Sequence, residues 1–284
     1  MDCSSTNSYS VITNNCQLRH SRKGSRAFVL RVDLSGIGSR SITAAMSGVL
    51  VIPTEATPYI LFQRTDYLRL PRILPYRVIR KVLHLGSFNR VVALEAWLTP
   101  NRAIALYQKD MAREYATLEP FLPPSARKIL DIGCGVAGID VFLYHHYRDI
   151  QPTFYLLDRT QVDDRITYGF RRRSSFYNSL TVAGEVLLRN GVPSDDVVLL
   201  EATDDNRIRV EGSVDLVISL ISWGYHYELD TYLHRVHDLL SPGGRLIVDL
   251  RKGTPGTKQL RSLFVDVDLV VATDKYERVC AVRS

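Results

Sequence analysis

No stretch of this sequence is apolar for long enough to span a bilayer. The most apolar early run, Ile42 to Ile52, contains Thr43, Ser47 and Gly48 and ends at Pro53, short of the roughly 18–20 residues a membrane helix needs. Cysteine is scarce: Cys3, Cys16, Cys134 and Cys280 are scattered, with no CxxC pair. That argues against a disulfide framework and a cysteine zinc site, and the expectation is a reducing, cytoplasmic setting with no metal. Internal repeats and low-complexity blocks are absent. Charge of one sign is not extreme either: 36 Lys plus Arg against 30 Asp plus Glu gives a net of +6. An anionic partner is permitted by that balance and not demanded by it. The first residues lack the basic-then-apolar order of a secretory signal.

What is present suits one sizeable core with an appended unit: 284 residues, 45% of them apolar. Residues 1–26 read as a polar, disordered tail. Residues 27–125 form an N-terminal, partly helical extension. It opens with a short strand-like alternation, Ala27 to Asp33, and continues with a helix from Tyr76 to Leu85 ended by Gly86. A clearer helix follows. Asn101 is placed as its N-cap, and Ile104, Tyr107, Met111, Tyr115 and Leu118 recur at helical spacing as one apolar stripe.

The pattern changes at Ala126. Apolar runs now alternate with helical stretches: KILDIG (128–133), TFYLLD (153–158), VVLLEA (197–202), VDLVISLIS (214–222) and RLIVDL (245–250). Continuous apolar runs suit strands covered on both faces, as in a parallel sheet flanked by helices. The last two runs, 268–274 and 278–283, lie too close together for a helical crossover. They predict a hairpin, so the sheet gains an antiparallel C-terminal strand. The expected fold is a doubly wound, mostly parallel seven-stranded α/β sheet over residues 126–284.

The strongest motif is Asp131-Ile-Gly133-Cys134-Gly135-Val-Ala-Gly138, after a strand and opening a helix. The glycines let a ligand press against the backbone, and the helix start offers free N–H groups. Asp158, about 20 residues on at the end of the next strand, suits a pair of ribose hydroxyls. As a GxGxxG match, the loop also fits a nicotinamide-dependent oxidoreductase. Asp131 separates the two: its charge is unhelpful beside a pyrophosphate but fits a ligand carrying an ammonium group.

With Pro242-Gly-Gly244 before a strand and the closing hairpin, residues 126–284 resemble the class I S-adenosylmethionine-dependent methyltransferases. The resemblance implies S-adenosyl-L-methionine as cofactor, held around Asp131, Gly133, Cys134, Gly135 and Gly138. It implies a ribose contact from Asp158 with Arg159 beside it, and an adenine contact after the third run at Thr203 and Asp204. The fourth motif, VDLVISLISW (214–223), would open the methyl-transfer site and places Ser219 there. One departure is plain. Members that methylate amino groups of bases or glutamine carry an (Asn/Asp)-Pro-Pro-(Tyr/Phe) run after that strand, and this chain reads Ser219-Leu-Ile-Ser-Trp-Gly-Tyr-His-Tyr227.

The segment after the fourth run falls where open α/β sheets bind ligands. Trp223, Tyr225 and Tyr227 are expected to contact the acceptor, and His226 suits a general base for a hydroxyl. Arg251 follows the next strand on the same edge and suits a carboxylate or phosphate. Tyr107 and Tyr115 reach the cofactor if their helix folds over the pocket. The basic stretch of Arg165, Tyr168 and Arg171–Arg173 favours RNA, but no RNA-binding module accompanies it. The reading is methyl transfer to a small molecule. RNA or protein methylation and a non-enzymatic scaffold are the alternatives, with the oxidoreductase disfavoured.

Overall fold

The computed structural model describes residues 50–73, 87–163 and 177–284. The tail at 1–26, the run 27–33, the helix placed at Tyr76 to Leu85 and the basic stretch at 165–173 lie outside the described residues. The described part begins with helix α1 (Thr57–Gln63) and a short turn of helix, α2 (Leu70–Ile73), then α3 (Phe88–Leu98) and the long α4 (Pro100–Leu118). Asn101 is not the N-cap of α4. The helix already starts at Pro100, whose fixed φ and missing N–H suit the first helical position. Tyr107, Met111, Tyr115 and Leu118 are buried along one face of α4, and Ile104 is half-buried.

The main sheet follows. It contains β1 (Lys128–Ile132), β2 (Thr153–Asp158), β5 (Val197–Glu201), β6 (Val214–Ser219), β8 (Leu240–Arg251), β9 (Asp266–Ala272) and β10 (Tyr276–Val282). A two-stranded ribbon, β3 (Gln161–Val162) with β4 (Tyr177–Asn178), leaves the end of β2. Helices α5 (Gly138–His146), α6 (Leu180–Arg189), α7 (Leu233–Leu239) and α8 (Gly256–Leu263) provide the crossovers and cover both faces, while β7 (Ser222–Tyr227) packs against β8. Spatial order in the sheet is β5-β2-β1-β6-β8-β10-β9. Every neighbouring pair is parallel except those made by β10, which runs antiparallel between β8 and β9. The Pro242-Gly-Gly244 turn interrupts β8: Val214 opposes Leu240 and Leu216 opposes Arg245, so the turn loops out of register.

Strand residues alternate between two apolar layers. Ile129, Phe154, Leu156, Leu216 and Ile247 pack beneath α4, α5 and α6. Leu130, Leu157, Val217, Leu246 and Val279 pack beneath α7 and α8. That two-sided burial is why the strands read as continuous apolar runs. The segment from Leu50 to Leu68 belongs to the first layer. It is pinned by Asn190, whose Oδ1 accepts from the Val51 N–H and whose Nδ2 donates to the Val51 carbonyl, both at 2.7 Å. From there the chain enters α1, whose last residue, Gln63, lies against Gly135 at the carboxyl ends of the strands.

Candidate functional site

The carboxyl ends of β1, β2, β5 and β6 open into one cavity of about 600 Å³, walled on the far side by α1 and α4. Its floor is the glycine loop. Gly133 (φ +76°) and Gly135 (φ +56°) take left-handed conformations, which side chains disfavour. A Cβ at Gly133 would run into Ser222, and one at Gly135 would lie 2.7 Å from Gln63 Oε1. Gly138 opens α5 against the Tyr107 ring, and its N–H donates to the Tyr107 hydroxyl. Cys134 is buried in the loop, and burial pushes its thiol well up, so it is no nucleophile.

Asp158 ties the loop to the next strand. Its Oδ2 accepts from the Gly135 N–H at 2.9 Å and from Asn178 Nδ2 at 2.8 Å, and its Oδ1 accepts from the Arg159 N–H at 2.7 Å. Oδ1 therefore keeps acceptor capacity toward the cavity. Burial raises the Asp158 carboxyl to about 6 despite these bonds. Arg159 pairs with Asp204 at 2.8 Å across the outer wall, and Thr203 stands next to it.

A second acid sits behind the first motif. Asp131 (3% exposed) and Asp140 (0%) bring their carboxyls within hydrogen-bonding reach. As two carboxylates they have no donor between them, and both Asp140 oxygens are buried without a partner. Burial first, and then Asp140, raises Asp131 well above the usual carboxylate range, while burial raises Asp140 to about 7. A cation delivered to Asp131 would relieve this pair. Two further buried atoms, Gln63 Nε2 and Asn178 Oδ1, have no partner beside the cavity. An orphan donor, an orphan acceptor, a carboxyl pair short of a cation and glycines without room for Cβ all fit a ligand with an amino-acid end and a ribose.

On the acceptor side, His226 and Tyr227 line the cavity with Leu220, Ile221 and Ser222. Ile221 has φ +51°, a costly conformation for a β-branched residue. Its N–H donates to Asp249 Oδ2 at 3.1 Å.

Five of the expected contacts lie elsewhere. Trp223 is fully buried in the lower apolar layer, with Nε1 donating to the Leu229 carbonyl at 2.8 Å. The segment that carries it, Ser222–Tyr227, is a strand packed on β8, and the indole turns into the core. Ser219 is buried beneath the site, donating to the Ile132 carbonyl at 2.7 Å and accepting from the Trp223 N–H at 3.0 Å. Tyr225 and Arg251 do not line the cavity either: the Arg251 guanidinium stacks on the Tyr225 ring at 4.9 Å, and that ring meets Tyr276 edge-on. Tyr107 walls the cavity, whereas Tyr115 stacks on Phe142 and contacts His146 Nδ1 at 2.8 Å, away from it. Gln63, Arg64, Asp140, Tyr177 and Asn178 were not expected from sequence. The first two sit in a segment without clear periodicity, and Tyr177 and Asn178 in a short ribbon after the second strand. Asp140 could have been found as an acid in the first turn of the helix after the glycines.

Asp131 and Asp158 thus end adjacent parallel strands around the glycine loop, and an antiparallel β10 is inserted next to the sheet edge. This mostly parallel seven-stranded sheet with an antiparallel β10 is the α/β fold that the resemblance to the class I S-adenosylmethionine-dependent methyltransferases implies. No protein-family model matches the chain, and no curated protein matches it. Solved structures of this fold class do. A 16S rRNA methyltransferase from T. thermophilus, in complex with AdoMet and guanosine, is 13% identical with a TM-score of 0.43; the match covers 61% of this chain and 43% of that one. A precorrin-6y methyltransferase from Geobacter metallireducens is 16% identical with a TM-score of 0.45, over 62% and 89% of the two chains. A SAM-dependent methyltransferase from Aquifex aeolicus is 15% identical with a TM-score of 0.45, over 60% and 90%. This chain spans less than half the length of the first of these proteins. Among the described residues, no cluster of acidic, cysteine or histidine side chains is placed to hold a metal, and no helix is long and apolar enough to cross a membrane.

Proposed function

We propose that this chain is an S-adenosylmethionine-dependent methyltransferase that methylates a hydroxyl of a small molecule, with His226 as general base. The observation that carries the reading is the cavity itself. One continuous space of about 600 Å³ runs from the Asp131 end of the glycine loop to His226, within the range of roughly 300–1,000 Å³ of small-molecule sites.

In this reading Asp131 faces the ammonium of the cofactor, the backbone at Gly133 and Gly135 lies against its chain, and Asp158 Oδ1 takes a ribose hydroxyl. Thr203 and Asp204 flank the adenine. Bound cofactor supplies a methyl group already activated on a sulfonium. The chain's own tasks are alignment, exclusion of water and removal of one proton. His226 would take the proton of the acceptor hydroxyl, and the methyl group that the bound cofactor supplies would replace it, giving a methyl ether. Enclosure by α1 and α4 favours a small acceptor over a duplex.

The test is transfer of a labelled methyl group to a panel of hydroxylated metabolites and, separately, to total RNA. The account expects label in a small molecule and loss of about 10²–10⁴ in turnover in His226→Gln, with S-adenosylhomocysteine affinity unchanged. Label in RNA alone, or full turnover in the variant, would contradict it.

A further inference from the structure

Arg64 is the residue after α1, at the point where the chain leaves the helix and passes the cavity. Its charge is felt by Tyr67, Tyr107, Tyr177 and Tyr276, each raised first by burial and partly lowered again by Arg64. Of these, Tyr107 and Tyr177 line the cavity with Arg64. Among the described residues it has no ion pair and no side-chain hydrogen bond. Next to it, Gln63 lies over Gly135, and its Nε2 is buried without a partner. A half-buried cation without an ion pair among the described residues and a buried orphan donor thus follow one another along the cavity wall. Across the loop, Asp131 and Asp140 form the opposite pattern, an acid pair short of a cation.

We infer that Arg64 and Gln63 form a carboxylate clamp that, with Asp131, reads the zwitterionic amino-acid end of the cofactor. The inference rests on the proposed cofactor. An α-ammonium and an α-carboxylate share one carbon, so a site that binds both needs opposite charges on two sides of a narrow cleft, and the glycine loop between Asp131 and Gln63 provides that cleft. Arg64 offers a planar fork suited to a carboxylate, and Gln63 Nε2 adds a neutral donor. Selectivity follows: adenosyl compounds without the carboxylate leave the buried Gln63 Nε2 unpaired, gain nothing from Arg64 and bind weakly.

The test is calorimetric titration of the full chain with S-adenosylhomocysteine and with 5′-methylthioadenosine, which shares the adenosyl part and lacks the amino-acid end. Binding of neither compound to the unaltered chain sinks the cofactor reading and the clamp with it. If the clamp holds, Arg64→Gln weakens S-adenosylhomocysteine about tenfold to a hundredfold and leaves methylthioadenosine unchanged, while Arg64→Lys recovers part of the loss. An unchanged S-adenosylhomocysteine affinity in Arg64→Gln overturns the clamp but keeps the cofactor. Equal weakening of both compounds also overturns it, because it marks Arg64 as a structural residue.

Discussion

The guanidinium of Arg278 grips both carboxylate oxygens of Asp249, Nε to Oδ1 at 2.7 Å and Nη2 to Oδ2 at 2.8 Å. Both side chains are buried, at 1% and 0% exposure. Nη1 of Arg278 also reaches Glu114 and Thr117 on α4, each at 2.7 Å, and Asp249 Oδ2 holds the Ile221 N–H. One ion pair thus links the central strands, the helix over the cavity and the loop on its acceptor side. Removing one partner leaves a buried charge uncompensated. Arg278→Met should cost about 3–5 kcal/mol in urea denaturation. Arg278→Met with Asp249→Leu should cost less than that single change, because only the partly exposed Glu114 is then left without its partner.

The buried acids predict a pH dependence. Burial raises Asp140 to about 7 and Asp158 to about 6 from an ordinary 3.8. Between those limits these two carboxyls hold more protons in the folded protein than in the unfolded chain, so they make stability fall as pH rises from about 4 to about 7. Asp140→Asn should flatten that fall, measured as the urea midpoint at pH 5 and at pH 8 without ligand. A cation bound at Asp131 favours the ionised pair, so cofactor binding near pH 6 should release protons. Titration in two buffers of different ionisation enthalpy reads that release directly.

Gly135→Ala places a Cβ against Gln63 on a backbone with φ +56°. The strain should cost about 1–2 kcal/mol, and the added methyl group closes the floor of the cavity. S-adenosylhomocysteine affinity should fall at least tenfold while the circular dichroism spectrum is retained.

Trp223 separates packing from substrate contact. Its indole fills the lower layer and donates to the Leu229 carbonyl. Trp223→Phe should lower stability by about 1–3 kcal/mol, through a lost bond and an unfilled volume. The KM for the acceptor should not change in any assay in which the variant stays folded.

Much of the fold was legible because its strands carry the signal themselves. KILDIG, TFYLLD and the closing pair of runs became β1, β2 and the hairpin with bounds moved by a residue or two, since strands buried on both faces must be apolar throughout. The glycine loop was legible for a related reason: backbone geometry there excludes side chains. The rest of the site was not. Trp223 looked like a pocket residue because it stands among aromatics after a strand, yet its indole is buried against Tyr232 and the Leu229 carbonyl. Arg64 and Gln63 gave no signal, because they reach the cavity through contacts between segments far apart in the chain, such as Val51 with Asn190 and Leu50 with Gln108. Asn101 failed as a cap for a local reason, since Pro100 before it already meets the needs of the first turn.

The most direct test of the central claim is isothermal titration of the full chain with S-adenosylhomocysteine and, in parallel, with NAD. The account predicts saturable one-to-one binding of S-adenosylhomocysteine and none of NAD. Binding of NAD, or of neither compound, would contradict it.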